Sequence, residues 1–373
     1  MRNIKYCLAV CALLLALFTG VVMSYAADNA DFGQAEIVSA LPDDARAALS
    51  ENNISPDNGG ITAITAEGAV SALWNTFRKE ITKPLRLFFA LSGVILLSAL
   101  CGTLKKDDNS ALTAVFDIVC IAAGVIIIAK EMSAVIIRNE ETLKSGTVFL
   151  LTFCPVFAGI LAATGAMTTA GVFNSLFLAA VQLFSGFINI ILNPLSVSML
   201  GLGAAGAINP DFRIEKLASA IQKAIEIALG FLLILFIGLL SLQTAVTASA
   251  DDLTIKTGKY IVSNSVPIIG GAVSDALSTV KGSLSLLKNT AGTFGIVAAI
   301  SILAPSIIAA ACYKTALSLA ASVGDLFGIS PLSGVIRTAE SVVTIMLAFL
   351  SAFALFAVMS IGVLIAFSSG GTP

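Results

Sequence analysis

Apolar and polar positions along this chain alternate on the scale of whole helices. Apolar runs of roughly 20 residues, the length an α-helix needs to cross a ~30 Å hydrocarbon core, occupy about 86–104, 111–130, 146–166, 172–192, 224–243, 292–312 and 342–367. Backbone polar groups in lipid need partners inside their own segment, so each run predicts a helix. The pattern predicts an all-α polytopic membrane protein with about seven transmembrane helices. Between the runs lie Lys105-Lys106-Asp107-Asp108-Asn109, a charged amphipathic connector from Glu131 to Ser145, and a loop around Asn209-Pro210-Asp211. A longer polar passage extends from Ala248 to Ala291.

The N-terminal pattern differs. Arg2 and Lys5 precede a short apolar run from Cys7 to Phe18, and Ser24-Tyr25-Ala26 follows, so residues 1–26 read as a cleaved signal peptide. An uncleaved first anchor helix is the competing reading. Residues 27–83 read as an exported polar segment with turn signals at Leu41-Pro42-Asp43-Asp44 and Ser55-Pro56-Asp57-Asn58-Gly59-Gly60. Its end is amphipathic: Val70, Leu73, Trp74, Phe77 and Ile81 share one helical face. That helix suits the membrane interface before Pro84 turns the chain into the bilayer, and packing against a neighbouring chain would use the same face. Residues 84–373 then form the multi-span membrane domain.

Within that domain an internal repeat is legible. Lys144-Ser145-Gly146 leads to Pro155 and Gly159, and Lys256-Thr257-Gly258 leads at the same spacings to Pro267 and Gly271. The units are about 111–200 and 222–311, with coincidence among Gly-rich helices as the alternative. The second copy is too polar for a plain lipid-facing span and fits a re-entrant or interfacial hairpin. Orientation is not settled by basic residues. A cleaved leader with seven spans puts Arg46, Arg78, Lys79, Lys83, Arg86, Lys130, Arg138 and Lys144 outside, against the positive-inside rule.

Composition narrows the chemistry. A 57% hydrophobic and 12% charged chain is no set of soluble domains. It has no histidine, which removes imidazole bases and His metal ligands. Net charge is −2, so nothing argues for nucleic acid. Cys101, Cys120, Cys154 and Cys312 lie in apolar stretches without metal spacing and read as small buried hydrophobes. Gly258-Lys259 is followed by Tyr260, so it is not a Walker A lysine. No catalytic, cofactor or metal residues are predicted.

What remains are polar groups inside apolar runs. Asp117, between Val115-Phe116 and Ile118-Val119, costs roughly 2.5–3.5 kcal/mol at a bilayer centre. It marks an ion or proton site, or reaches the interface near the Lys105–Asn109 loop. Gln182, Ser185, Asn189, Asn193 and Ser196 fall on one helical stripe, which suits a cavity lining or interhelical hydrogen bonds. Gly201, Gly203 and Gly206, and Gly292 with Gly295, permit close helix approach. Asn264, Asp275, Lys288 and Asn289 sit among helix-breaking Gly and Pro residues, where polar groups near lipid need partners.

The passage Leu253-Thr-Ile-Lys-Thr-Gly-Lys-Tyr-Ile-Val-Ser-Asn-Ser-Val-Pro-Ile-Ile-Gly-Gly-Ala-Val-Ser-Asp275, with Leu286-Leu287-Lys288-Asn289-Thr290-Ala291-Gly292-Thr293-Phe294-Gly295, resembles the stage III sporulation protein AE family of endospore-forming bacteria. The resemblance covers residues 245–300 closely and agrees with the leader and span layout elsewhere. It implies a multi-pass protein of the mother-cell membrane surrounding the forespore. It also implies partners: other stage III sporulation proteins of one channel complex, including a separate ATPase and ring-forming subunits. The role so implied is a non-enzymatic export-gate-like or scaffold subunit without cofactor. A stand-alone secondary transporter for a small solute or ion is the second expectation, favoured by the repeat, the polar stripe and Asp117.

Overall fold

The computed structural model describes residues 34–51, 66–103, 110–208, 214–265 and 270–369, and all its regular elements are helices. Two short helices, α1 (Gln34–Ser39) and α2 (Asp43–Glu51), come first. Then follow α3 (Ala66–Glu80) and α4 (Thr82–Thr103). The main bundle comprises α5 (Ser110–Ala163), α6 (Met167–Phe187), α7 (Asn193–Ile208), α8 (Ile214–Ser265), α9 (Gly270–Leu326) and α10 (Ser330–Ser369). The signal-peptide reading of residues 1–26 lies outside the described residues.

Among the described residues, six helices are long and apolar enough to cross a membrane. The seven expected runs fall on these six because 111–130 and 146–166 belong to one unbroken helix, α5, of 54 residues. The connector between them has no Gly or Pro until Gly146, and it keeps an inner face: Met132, Val135, Ile136, Asn139 and Leu143 are all buried. Pro155 lies inside α5 and Pro305 inside α9 without ending either helix.

α5 and α10 run parallel, since Asn139 meets Met346 and Gly146 faces Phe353. α9 packs antiparallel to both: Ser306 meets Thr142, and Gly292 faces Phe157 and Ile365. At Gly292 a methyl group would come within 2.5 Å of the end of the Ile365 side chain, so glycine lets α9 approach here without that side chain having to move. Gly203 packs similarly against Thr338, whereas Gly201 faces open space. An aromatic seam fills the centre. Phe149, Phe153 and Phe157 of α5 stack at 5.2–5.7 Å, and Phe356 of α10 meets Phe177, Phe184 and Phe236.

The α9–α10 turn explains itself locally. Gly328 takes φ 72°, and Ile329 N–H donates to Gly324 C=O at 3.0 Å, closing a glycine-capped helix end. Gly165, at φ 93°, does the same between α5 and α6. Arg337 reaches back from α10 to pair with Asp325. At the other end of the chain, Arg46 donates to the carbonyls of Val38, Ser39 and Leu41 and so caps α1. Ile37, Leu41, Ala45 and Leu49 are buried, and α1 and α2 pack on α5 and α9. This part of the polar segment is therefore docked on the bundle.

Candidate functional site

Polar side chains collect midway along α5, where the connector crosses the bundle. Arg138 donates two hydrogen bonds to Glu80, the last residue of α3, at 2.5 and 2.7 Å. This bidentate geometry is the strongest form of an Arg–carboxylate pair, and both side chains are largely shielded, at 35% and 18% exposure. About two turns earlier on α5, Glu131 accepts a hydrogen bond from Tyr313 of α9 at 3.2 Å. The Thr142 and Ser306 hydroxyls meet at 2.6 Å, and Asn139 donates to the Met346 sulfur.

These groups border a pocket of about 210 Å³, lined by Lys83, Arg86, Glu131, Arg138, Asn139 and Tyr313 with a floor of small apolar residues from α5 and α9. α3 runs almost unbroken into α4, since Ile81 N–H donates to Phe77 C=O and Ile81 C=O accepts from Leu85 N–H, and the first turn of α4, with Pro84 buried, carries Lys83 and Arg86 at the pocket. The pocket is smaller than the ~300–1,000 Å³ of drug-sized sites, so it suits a small charged group.

The residues expected from the sequence are distributed differently. Asp117 lies near the start of α5, flanked by the exposed Val115, Phe116, Ile118 and Val119; its own side chain is outside the described residues, as are those of Asn189, Asn264 and Asp275. The polar stripe does not keep one environment. Ile188–Leu192 form a π-helical turn between α6 and α7, and its wider winding rotates everything beyond it relative to a regular helix. Gln182 is exposed, Asn193 is half-buried, and Ser196 is buried with its hydroxyl unpartnered among the described residues.

Lys288 and Asn289 stand out. Lys288 is completely buried, and neither its ammonium nor the Asn289 carbonyl oxygen has a hydrogen-bond partner among the described residues. On α9 it shares a face with Gly292, one turn on, which packs against Phe157 and Ile365. Asn264 and Asp275 lie on the two helices that flank residues 266–269. Cys154 and Cys312 are buried, Cys101 and Cys120 half-buried, and none forms a disulfide.

In the sequence Glu131 and Arg138 stand in the charged amphipathic connector, and Lys83 and Arg86 at the junction of the amphipathic helix and the first apolar run, with nothing to mark them as a site. Their partners are distant along the chain, 58 residues for Glu80–Arg138 and 182 for Glu131–Tyr313. No local pattern announces such pairs.

The sequence profile of the family Stage III sporulation protein AE matches residues 54–368. Stage III sporulation protein AE of Bacillus subtilis (strain 168) is 28% identical over 218 residues, which cover 57% of this chain. The match spans 55% of that relative's own length, so about half of it. No solved structure matches the chain. The family match covers most of the sequence, and the chain belongs to the stage III sporulation protein AE family.

Proposed function

We propose that this chain is a non-enzymatic membrane subunit of a sporulation channel complex that links mother cell and forespore. It acts there as an export-gate-like or scaffold component in the mother-cell membrane around the forespore. Its partners in this reading are other stage III sporulation proteins, including a separate ATPase and ring-forming subunits.

The observation that carries the reading is a stagger between two exposed apolar bands. One band lies on α4 and the first half of α5, with Phe89, Leu97, Leu100, Ile118 and Ile126 outward. The other lies on α8, with Ile227, Phe231, Ile234 and Leu242 outward. Ile95 of α4 sits at the level of Ser333, and Phe236 of α8 at that of Phe356. Those α10 positions are roughly 35 Å apart at 1.5 Å per residue.

α4 reaches α8 through α9 and α10, at most three interaxial steps of about 9 Å. Levelling both bands in one membrane would need a tilt of about 50°, beyond the 0–40° that transmembrane helices adopt. A second protein against one band removes the conflict. Trp74, 64% exposed on the amphipathic α3, and the basic Arg78 and Lys79 border the α4 band and mark it as the lipid-facing one. The α8 band then meets another subunit.

The pocket at Arg138 favours the second reading, a stand-alone secondary transporter for a small ion or solute. Gentle detergent extraction of the tagged protein from sporulating cells separates the two. Recovery in a large particle with other sporulation membrane proteins is expected. A protein that emerges alone and moves a solute across liposomes would overturn the proposal.

A further inference from the structure

The pocket at the edge of the α4 band carries two cations with no assigned partner. Lys83 and Arg86, one turn apart, line it and form no ion pair with any described residue, whereas Arg138 is committed to Glu80. Two uncommitted positive charges beside a single pocket carboxylate, Glu131, leave a site suited to an anion. Glu131 already accepts from Tyr313, and its remaining lone pairs suit a hydroxyl rather than a second anion. Leu85 and Phe89, exposed and one turn apart on α4, give an apolar stripe next to Arg86 on the helix surface. A phosphate at the basic end and hydrocarbon along the stripe describe one molecule.

We propose that this pocket binds the phosphodiester headgroup of an anionic phospholipid, with Lys83 and Arg86 on the phosphate and an acyl chain along Leu85 and Phe89. The inference rests on the α4 band facing lipid. Basic pockets between helices at a membrane face take acidic headgroups for the same reason: the charge is matched while the tail stays in hydrocarbon. Free inorganic phosphate shares the headgroup's charge and lacks the tail, so the two sources are separable.

The test uses the full-length protein, delipidated in neutral detergent, with thermal unfolding followed as phosphatidylglycerol, phosphatidylcholine or inorganic phosphate is added. Phosphatidylglycerol alone is expected to raise Tm. Lys83→Gln with Arg86→Gln should require about thirtyfold more of it, the factor for two basic side chains near an anionic surface. Both side chains are exposed, so the fold tolerates the change.

The same charge loss at Lys216 and Lys223 of α8, also exposed and outside the pocket lining, should leave the response unaltered. Equal stabilisation by inorganic phosphate, or an unchanged response in the Lys83/Arg86 variant, overturns the proposal. Native mass spectrometry of the wild-type protein gives a second readout independent of any variant. Absence of retained phosphatidylglycerol there also overturns it. Either failure leaves the recovery of the complex from cells unaffected, so the lipid site and the subunit role fall separately.

Discussion

The outward faces of α4 and α8 are alike in chemistry and differ in surroundings. Both present Leu, Ile and Phe to the outside, and α8 is the less covered, with only 11% of its most apolar stretch buried. α10 has the same mean hydropathy as α8 and is 72% buried. Apolar content therefore identifies membrane-scale helices without saying what each one touches. Border residues are the basis of the proposed assignment: Trp74, Arg78 and Lys79 flank the α4 band, while α8 leans its inner side on Phe356 and, in the proposed reading, shows its outer side to a partner.

The largest expected effect separates the two sides of α8. Phe356→Ala removes a ring packed on Phe177, Phe184 and Phe236 and should cost about 3–5 kcal/mol. Ile234→Ala, outward on the same helix, should stay within about 0.5 kcal/mol. Thermal unfolding in detergent measures both, and equal losses would place Ile234 in the core.

Next comes the charged layer between the bands. Glu80→Gln leaves Arg138 partly shielded without its carboxylate and should cost about 1–3 kcal/mol. Adding Arg138→Gln should restore most of this, and a double variant no better than the single would show that the pair is not the unit.

A third prediction dissociates stability from function. Lys288→Met replaces a buried ammonium with an apolar chain of similar length, so Tm should hold or rise. Spore formation should nevertheless fail at normal protein level, because we propose that the Leu253–Gly295 passage, where the family resemblance is closest, carries the protein's specific work. Normal spores, or loss that tracks degradation, would refute that proposal. The smallest effect belongs to Arg337→Ala, whose exposed pair with Asp325 should contribute less than about 1 kcal/mol to Tm.

Much of the fold was legible because hydropathy at helical scale survives packing. The apolar runs that fall on six helices, the amphipathic face that became α3, and the close approaches at Gly203, Gly292 and Gly295 all follow from local pattern, although the runs predicted seven spans. The unbroken α5 was half-legible. Its connector is amphipathic and lacks a breaker, but charges there read as a loop until Met132, Val135 and Leu143 are seen buried. The π-helical turn at Ile188–Leu192 has no sequence signal of its own, and it interrupts the stripe between Ser185 and Asn193. The pocket was illegible because Glu80, Arg138, Glu131 and Tyr313 come from three separate helices.

The central claim is that one apolar band faces lipid and the other faces a subunit. A photo-crosslinking side chain placed at Leu97 on α4 or Ile234 on α8, activated in sporulating cells, tests it directly. The account predicts that Ile234 yields an adduct identified by mass spectrometry as another sporulation membrane protein, while Leu97 yields lipid adducts only. Lipid adducts alone at both positions would contradict it, because both bands would then lie in the bilayer and the bundle would stand there by itself.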